Sequence, residues 1–248
     1  MTIDWPLVAL VAAIFAFAGW IKGVIGLGLP TIATGLMGIF IPPAQAAAIV
    51  VVPALVTNVW QMLYGGHFLA LVKRLWPMLL GVICATVATA GVITGGNVKL
   101  TVGALGLALM AYAGHQLLGT TIRTPERLEP FVGALAGITT GVISGFTGVF
   151  VVPTIPFLQT IDLGKDEMIQ AIGITAFTSA FALMLGLGVH GGLRFDMAAP
   201  ILAAVAAGLV GMWLGQILRA GLTVAIFRRW VLIGLIGLGA SMAARALS

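Results

Sequence analysis

Two glycine-rich stretches hold the residues best suited to forming a ligand site. The first is Gly23-Val24-Ile25-Gly26-Leu27-Gly28-Leu29-Pro30; the second is Gly141-Val142-Ile143-Ser144-Gly145-Phe146-Thr147-Gly148, with Pro153 shortly after. Each interrupts an apolar run. Glycine lets the backbone leave helical geometry, and proline suits the first turn of a new helix. In a bilayer such a break persists only where it is buried in protein or lines a watery cavity, and a matched pair in two halves marks the binding site of many carriers. Helices restarting near Pro30 and after Gly148, the second capped by Thr147, would aim backbone N–H groups at the space between them. Helix N-termini favour anions, and Ser144 and Thr147 would add hydroxyl donors to an oxyanion.

Other polar side chains fall inside the apolar runs. Thr57, Asn58 and Gln61 stand at helical spacings of three and four, on a segment that Pro53 would kink. Thr175, Thr178 and Ser179 share a face of a later segment, with Gln170 upstream. Taken singly, such residues serve as interhelical glue worth ~0.6 kcal/mol per bond; clustered beside the glycine stretches, they are candidates to line a site. Lys22 directly precedes the first glycine stretch. Deep in the bilayer it is a functional cation; near a surface it merely snorkels. No Asp or Glu lies within the spans, so the site's potential is positive or neutral and the chemistry points to a small anion. Competing motifs are missing. No Walker sequence or dinucleotide-binding context surrounds the glycines. His67, His115 and His190 lack metal-ligand spacing, the single Cys84 excludes an intramolecular disulfide, and no nucleophile–base pair can be assembled. Neither enzyme chemistry nor a resident metal or cofactor is expected.

The elements that must position these residues are membrane helices. Of 248 residues, 60% are hydrophobic and 8% charged, against roughly 25% charged in a soluble domain. Apolar segments fall at about 5–22, 24–40, 44–64, 75–94 and 98–118, then 131–147, 149–160, 168–188, 198–218 and 225–247. The polar stretch 119–130 divides repeat one (1–118) from repeat two (131–248). His67 and His190 are separated by as many residues as Pro77 and Pro200, and the glycine stretches by slightly fewer, which is the mark of an internal duplication. Segments 24–40 and 149–160 are short and are read as partial or re-entrant. The expected fold is all-α, with two inverted-topology repeats of about five segments each and 8–10 helices in total. An odd number of crossings per half inverts the second half relative to the first. Lys73, Arg74, Arg123, Arg127, Lys165, Arg219, Arg228 and Arg229 fall on one side, and Lys99, Arg194 and Arg245 on the other. The positive-inside rule makes the first side cytoplasmic and puts both termini outside. The first segment carries Asp4 in place of a basic n-region and is expected to be retained. The net charge of +5 is scattered in ones and twos, so nucleic acid is not an expected partner; membrane lipid is.

These residues resemble the TauE/SafE family of sulfite and organosulfonate exporters, also called the 4-toluene sulfonate uptake permease family. The resemblance rests on Gly23-x-x-Gly26-x-Gly28, its repeat from Gly141 to Pro153, the Gln170-Ala171-Ile172-Gly173 run and the Gly-containing turns at His67 and His190. The chain departs from the pattern at Leu29 and at Ser144, which stands where Gly26 does in the first half. The resemblance implies a bacterial inner-membrane carrier of sulfite, sulfoacetate or related sulfonates, driven by an H⁺ or Na⁺ gradient and compatible with a homodimer. Substrate would bind between Gly23–Pro30 and Gly141–Pro153 and be oriented by Asn58, Gln61, Gln170, Thr175 and Ser179, with Gly145 and Gly148 in the second break. The rival readings are a passive anion channel and a membrane assembly subunit that transports nothing.

Overall fold

A computed structural model describes residues 4–26, 28–63, 65–119, 123–193, 197–219 and 223–247. All regular structure among them is helical. The first half comprises α1 (Trp5–Ile25), α2 (Leu29–Met37), α3 (Pro43–Leu63), α4 (Phe68–Thr89), α5 (Gly91–Thr94) and α6 (Val98–Leu118). The second comprises α7 (Glu129–Thr147), α8 (Thr154–Thr160), α9 (Lys165–Val189), α10 (Ala198–Leu218) and α11 (Val224–Leu247). A 3₁₀ turn, Glu126–Leu128, leads into α7, so helix begins inside the stretch expected to be linker. Arg194, Leu27 and 120–122 lie outside the described residues.

Eight helical stretches are long and apolar enough to cross a membrane, with α4 and α5 forming one of them, Phe68–Thr94. The exceptions are α2, of nine residues, and α8, of seven. At 1.5 Å per residue these reach about 14 and 11 Å into a hydrocarbon core of about 30 Å. They are the partial segments expected from 24–40 and 149–160, in tighter form.

Glycine contacts set the direction of each helix. On α1, Gly19 meets the backbone of Gly208 and Gly23 meets Gly215, so α1 and α10 run parallel. On α7, Gly137 meets Met78, Gly141 meets Val82 to Thr86, and Gly145 meets Thr89, so α7 and α4 run parallel. Gly106 of α6 lies on Gly239 of α11 while Gly103 faces Ala246, an antiparallel pairing. Exchanging the halves turns the α1–α10 contact into α7–α4 and maps α3–α9 and α6–α11 onto themselves. The C-terminal turns of α1 and α3 meet at Lys22 and Asn58, so those two helices point the same way. It follows that α1, α3, α6 and α10 run in one direction and their counterparts α7, α9, α11 and α4 in the other. The repeats are inverted.

Both ends of the described chain thus lie at one face. The opposite face carries the starts of α4, α7, α9 and α11 and most of the basic residues, Lys73, Arg74, Arg127, Lys165, Arg228 and Arg229 among them. There Arg74 binds Glu129 through Nε and Nη2 (2.9 and 2.8 Å) and donates from Nη1 to the Asp162 carbonyl at 2.9 Å, tying α4, α7 and the α8–α9 loop together.

Part of the second glycine stretch does something other than break a helix. Gly141 and Gly145 lie within α7, one turn apart in a stripe with Gly133 and Gly137. Small residues at this spacing let two backbones approach in a lipid solvent, where packing rather than hydrophobicity drives association. Gly23 does the same on α1, where a Cβ would fall on Met212 and Gly215 of α10. Replacing Gly137 by leucine forces bulk into the Met78 backbone and should lower the detergent-solubilised melting temperature by about 5 °C or more. Gly114, which faces open space, should tolerate leucine; equal effects at both positions would contradict this packing.

Candidate functional site

The end of α1 holds a buried cation. Lys22, 5% exposed, lies in the last turn of the helix. Its Nζ donates to Asn58 Oδ1 at 2.6 Å, to the Thr57 carbonyl at 3.2 Å and to Thr57 Oγ1 at 3.3 Å. These bonds use all three ammonium protons, and every acceptor is neutral. The Arg74–Glu129 ion pair does not involve the lysine. Three charge-assisted bonds return only part of what burying an ion costs, several kcal/mol per charge.

The chain breaks immediately beyond the lysine. Gly26 ends α1 at φ +88° with its N–H on the Lys22 carbonyl (2.7 Å), and Gly28 precedes α2 at φ +101°. Both φ values belong to the left-handed region, open to glycine and strained for other residues. No side chain caps α2, whose second residue is Pro30, so its first amides remain available to a ligand.

Lys22 stands between two spaces. On the basic-face side is a cavity of about 350 Å³, lined by Lys22, Gly23, Gly26, Thr57 and Gln61, with Gln216 and Arg219 from the end of α10. Trp60, Ile169, Ile172 and Met212 supply its apolar wall. On the other side is a chamber of about 20 Å³ bounded by Gly28, Pro30 and Asn58 and, from the second half, Phe150, Val151 and Thr175. That is room for about one water. Lys22, Gly26, Gln61 and Ile172 border both spaces. Asn58 Nδ2 is buried without a partner, and Gln61 Nε2 holds only a long contact to the Gly26 carbonyl, 3.5 Å. Both amides can donate to an oxyanion.

The structure therefore brings together Lys22, Gly23, Gly26, Gly28, Pro30, Asn58, Gln61 and Thr175. It places the remaining candidates elsewhere. Gly141 and Gly145 pack on α4. Gly148, at φ +72°, ends α7 against Ala47 and Thr34. Thr147 serves the end of α7 and not the start of α8: its Oγ1 donates to the Ile143 carbonyl (2.6 Å) and accepts from Val149 N (3.1 Å). The N-terminus of α8 is occupied from within, since Thr140 Oγ1 accepts from Thr154 N at 3.1 Å and pairs with Thr154 Oγ1 at 2.8 Å. Ser144 is buried away from both spaces, and Ser179 donates to the Thr175 carbonyl at 2.8 Å.

Gln170 is spent on backbone. Its Oε1 accepts from His67 N (2.8 Å) and its Nε2 donates to the Met62 carbonyl (3.0 Å), pinning the α3–α4 connection. In the other half, Gln45 reaches Met197 Sδ at 3.6 Å, beyond the end of α9. Each glutamine thus fastens the turn that follows the other half's long helix. Replacing Gln170 by leucine orphans two backbone groups and should cost about 1–3 kcal/mol of stability, read as a lower melting temperature with substrate affinity kept in the folded fraction. A selective loss of affinity at unchanged stability would contradict the assignment.

Sequence reasoning missed Trp60, Gln216, Arg219 and the apolar wall. Their only signal was the small-residue stripe of α10 (Gly208, Gly211, Gly215) that docks it on α1 and so brings Arg219 to the cavity. No match was found among curated proteins or solved structures. A family model described as sulfite exporter TauE/SafE matches residues 11–242, a span that holds both glycine stretches, the buried lysine and every residue lining the two spaces. With nearly its whole length matched, the chain belongs to the sulfite exporter TauE/SafE family, whose members are membrane transporters and not enzymes.

Proposed function

We propose that the protein is a secondary active carrier that exports small sulfur-containing anions, with organosulfonates of the sulfoacetate kind favoured over bare sulfite. One observation carries the reading: a buried ammonium with no carboxylate partner stands at the floor of an open cavity. An entering sulfonate supplies the missing negative charge. Its oxygens face the Lys22 ammonium and take Gln61 Nε2 from the cavity side, while the orphan Asn58 Nδ2 and the uncapped start of α2 lie across the lysine at the one-water chamber. The organic part lies along Trp60, Ile169, Ile172 and Met212, and Arg219 meets the anion at the mouth. Sulfite alone would leave most of a 350 Å³ space to water.

The basic face is cytoplasmic on the positive-inside rule, so in a bacterial inner membrane the cavity opens toward the cytoplasm with both termini outside. That is the loading side for an exporter. The one-water chamber beyond Lys22 favours a carrier over a channel, since passage requires the two inverted halves, 1–118 and 131–248, to exchange conformations. No nucleotide-binding motif occurs in the sequence, so the energy comes from an H⁺ or Na⁺ gradient.

Purified protein in proteoliposomes, given radiolabelled sulfite, sulfoacetate or sulfate with and without a pH or Na⁺ gradient, tests this reading. Saturable, gradient-dependent flux is expected, highest for sulfoacetate. Trp60→Ala should raise the sulfoacetate KM about tenfold and leave that for sulfite nearly unchanged, because only the organic part meets the ring. Gly28→Leu should insert normally and transport nothing. Flux that grows linearly with concentration, or normal transport by Gly28→Leu, would contradict the carrier.

A further inference from the structure

We infer that the groove between α6 and α11 at the basic face is a binding site for one anionic phospholipid. The groove, about 620 Å³, is lined by Gln116, Leu117, Arg228, Arg229, Leu232 and Ile233. It shares no residue with the cavity around Lys22.

Three features select the occupant. The first is charge. Arg228 and Arg229 both line the groove, near the start of α11 at the basic face. Neither takes part in an ion pair among the described residues, whereas Arg74 on the same face is held by Glu129. Arg228 is oriented instead by a neutral group: its Nη2 donates to Gln116 Oε1, which also accepts from Gln159 Nε2 at 3.5 Å. This fixes the guanidinium in the groove and leaves its charge uncompensated. Guanidinium binds phosphate through paired N–H donors.

The second feature is the order of polarity along α11. Four residues beyond Arg229, directly beneath it on the same helix face, lies Ile233, exposed to the groove, while Leu232 beneath Arg228 is buried and closes the groove's inner wall. A phosphate held by the arginines would lay its acyl chain past Trp230 and Ile233, the exposed apolar residues of this part of α11, toward the membrane interior. A soluble phosphate would leave them uncovered. The third is depth and outlook. Ile226, Trp230 and Ile233 are 58, 68 and 44% exposed, so this part of α11 looks outward into lipid. Exposed tryptophan marks headgroup level. Basic pockets between membrane helices are the usual receptors for anionic headgroups.

The test uses the full chain in a neutral detergent, with dioleoylphosphatidylglycerol, dioleoylphosphatidylcholine or soluble glycerol 3-phosphate as probes. Phosphatidylglycerol should raise the melting temperature and survive as a single bound lipid in native mass spectra, while the other two should do neither. Arg228→Gln/Arg229→Gln should weaken apparent affinity for phosphatidylglycerol on the order of tenfold or more. Lys73→Gln/Lys165→Gln, at the same face but outside the groove, should leave it unchanged. Arg229→Gln alone, which keeps the Arg228–Gln116 bond and so the helix packing, should show a partial loss. The inference is overturned if the two lipids act alike, if glycerol 3-phosphate matches the lipid, or if both arginine variants retain full affinity.

Discussion

An ammonium group buried among neutral oxygens sets the terms for the rest of this molecule. Lys22 must be held by something, and α3 supplies the holders in one turn, the Thr57 carbonyl and hydroxyl and the Asn58 amide. That turn is in reach because α1 and α3 run in the same direction and end at the same level. Hydrogen bonds to a charged group are worth about 1.5–3 kcal/mol each and offset only part of the penalty of burial. The anion proposed to bind there would complete an arrangement that is tolerable without it.

The inverted repeat places this charge in one half only. The first glycine stretch is preceded by Lys22 and the second by Thr140, which is tied to Thr154 at the start of α8. The first half thus has a cation and a free helix N-terminus, and the second has a hydroxyl pair that closes its own helix. The second half contributes wall, Phe150, Val151 and Thr175 at the chamber and Ile169 and Ile172 at the cavity. Two interfaces between the halves are lined with glycine, α1 on α10 and α7 on α4. Such backbone contacts carry few interlocked side chains.

Much of this was legible in the sequence. Apolar runs of spanning length, two short ones and a mid-chain polar stretch define the helices. The odd number of crossings expected per half becomes four full crossings and one partial segment, because α2 and α8 turn back and leave α1 and α3 running the same way. Lys22, Asn58 and Gln61 could be related to the first glycine stretch because they lie on consecutive long segments at helical spacing. What misled was the double use of two residue types. Glycine serves a left-handed turn at Gly26, Gly28 and Gly148 and close helix packing at Gly23, Gly141 and Gly145, and the letter is the same for both. Only the departure of φ from helical values separates them. Gln170 likewise reads as a polar residue on a site-facing helix, yet both ends of its amide are committed to the Met62–His67 turn. The mouth of the cavity was not readable at all, because Trp60 and Arg219 come together through the docking of α10 on α1.

The most direct measurement of the Lys22 site compares two ligands of nearly equal shape and unequal charge. Calorimetric titration of the purified protein with methanesulfonate and with neutral dimethyl sulfone, repeated on Lys22→Met, separates charge compensation from fit. The account predicts that methanesulfonate binds the native protein, that it loses on the order of a hundredfold or more in affinity when the lysine becomes methionine, a truncation that leaves the partners of a buried charge unpaired, and that the sulfone distinguishes the two proteins little. Methanesulfonate binding equally well to both would show that the Lys22 ammonium is a structural cation and that the anion site lies elsewhere.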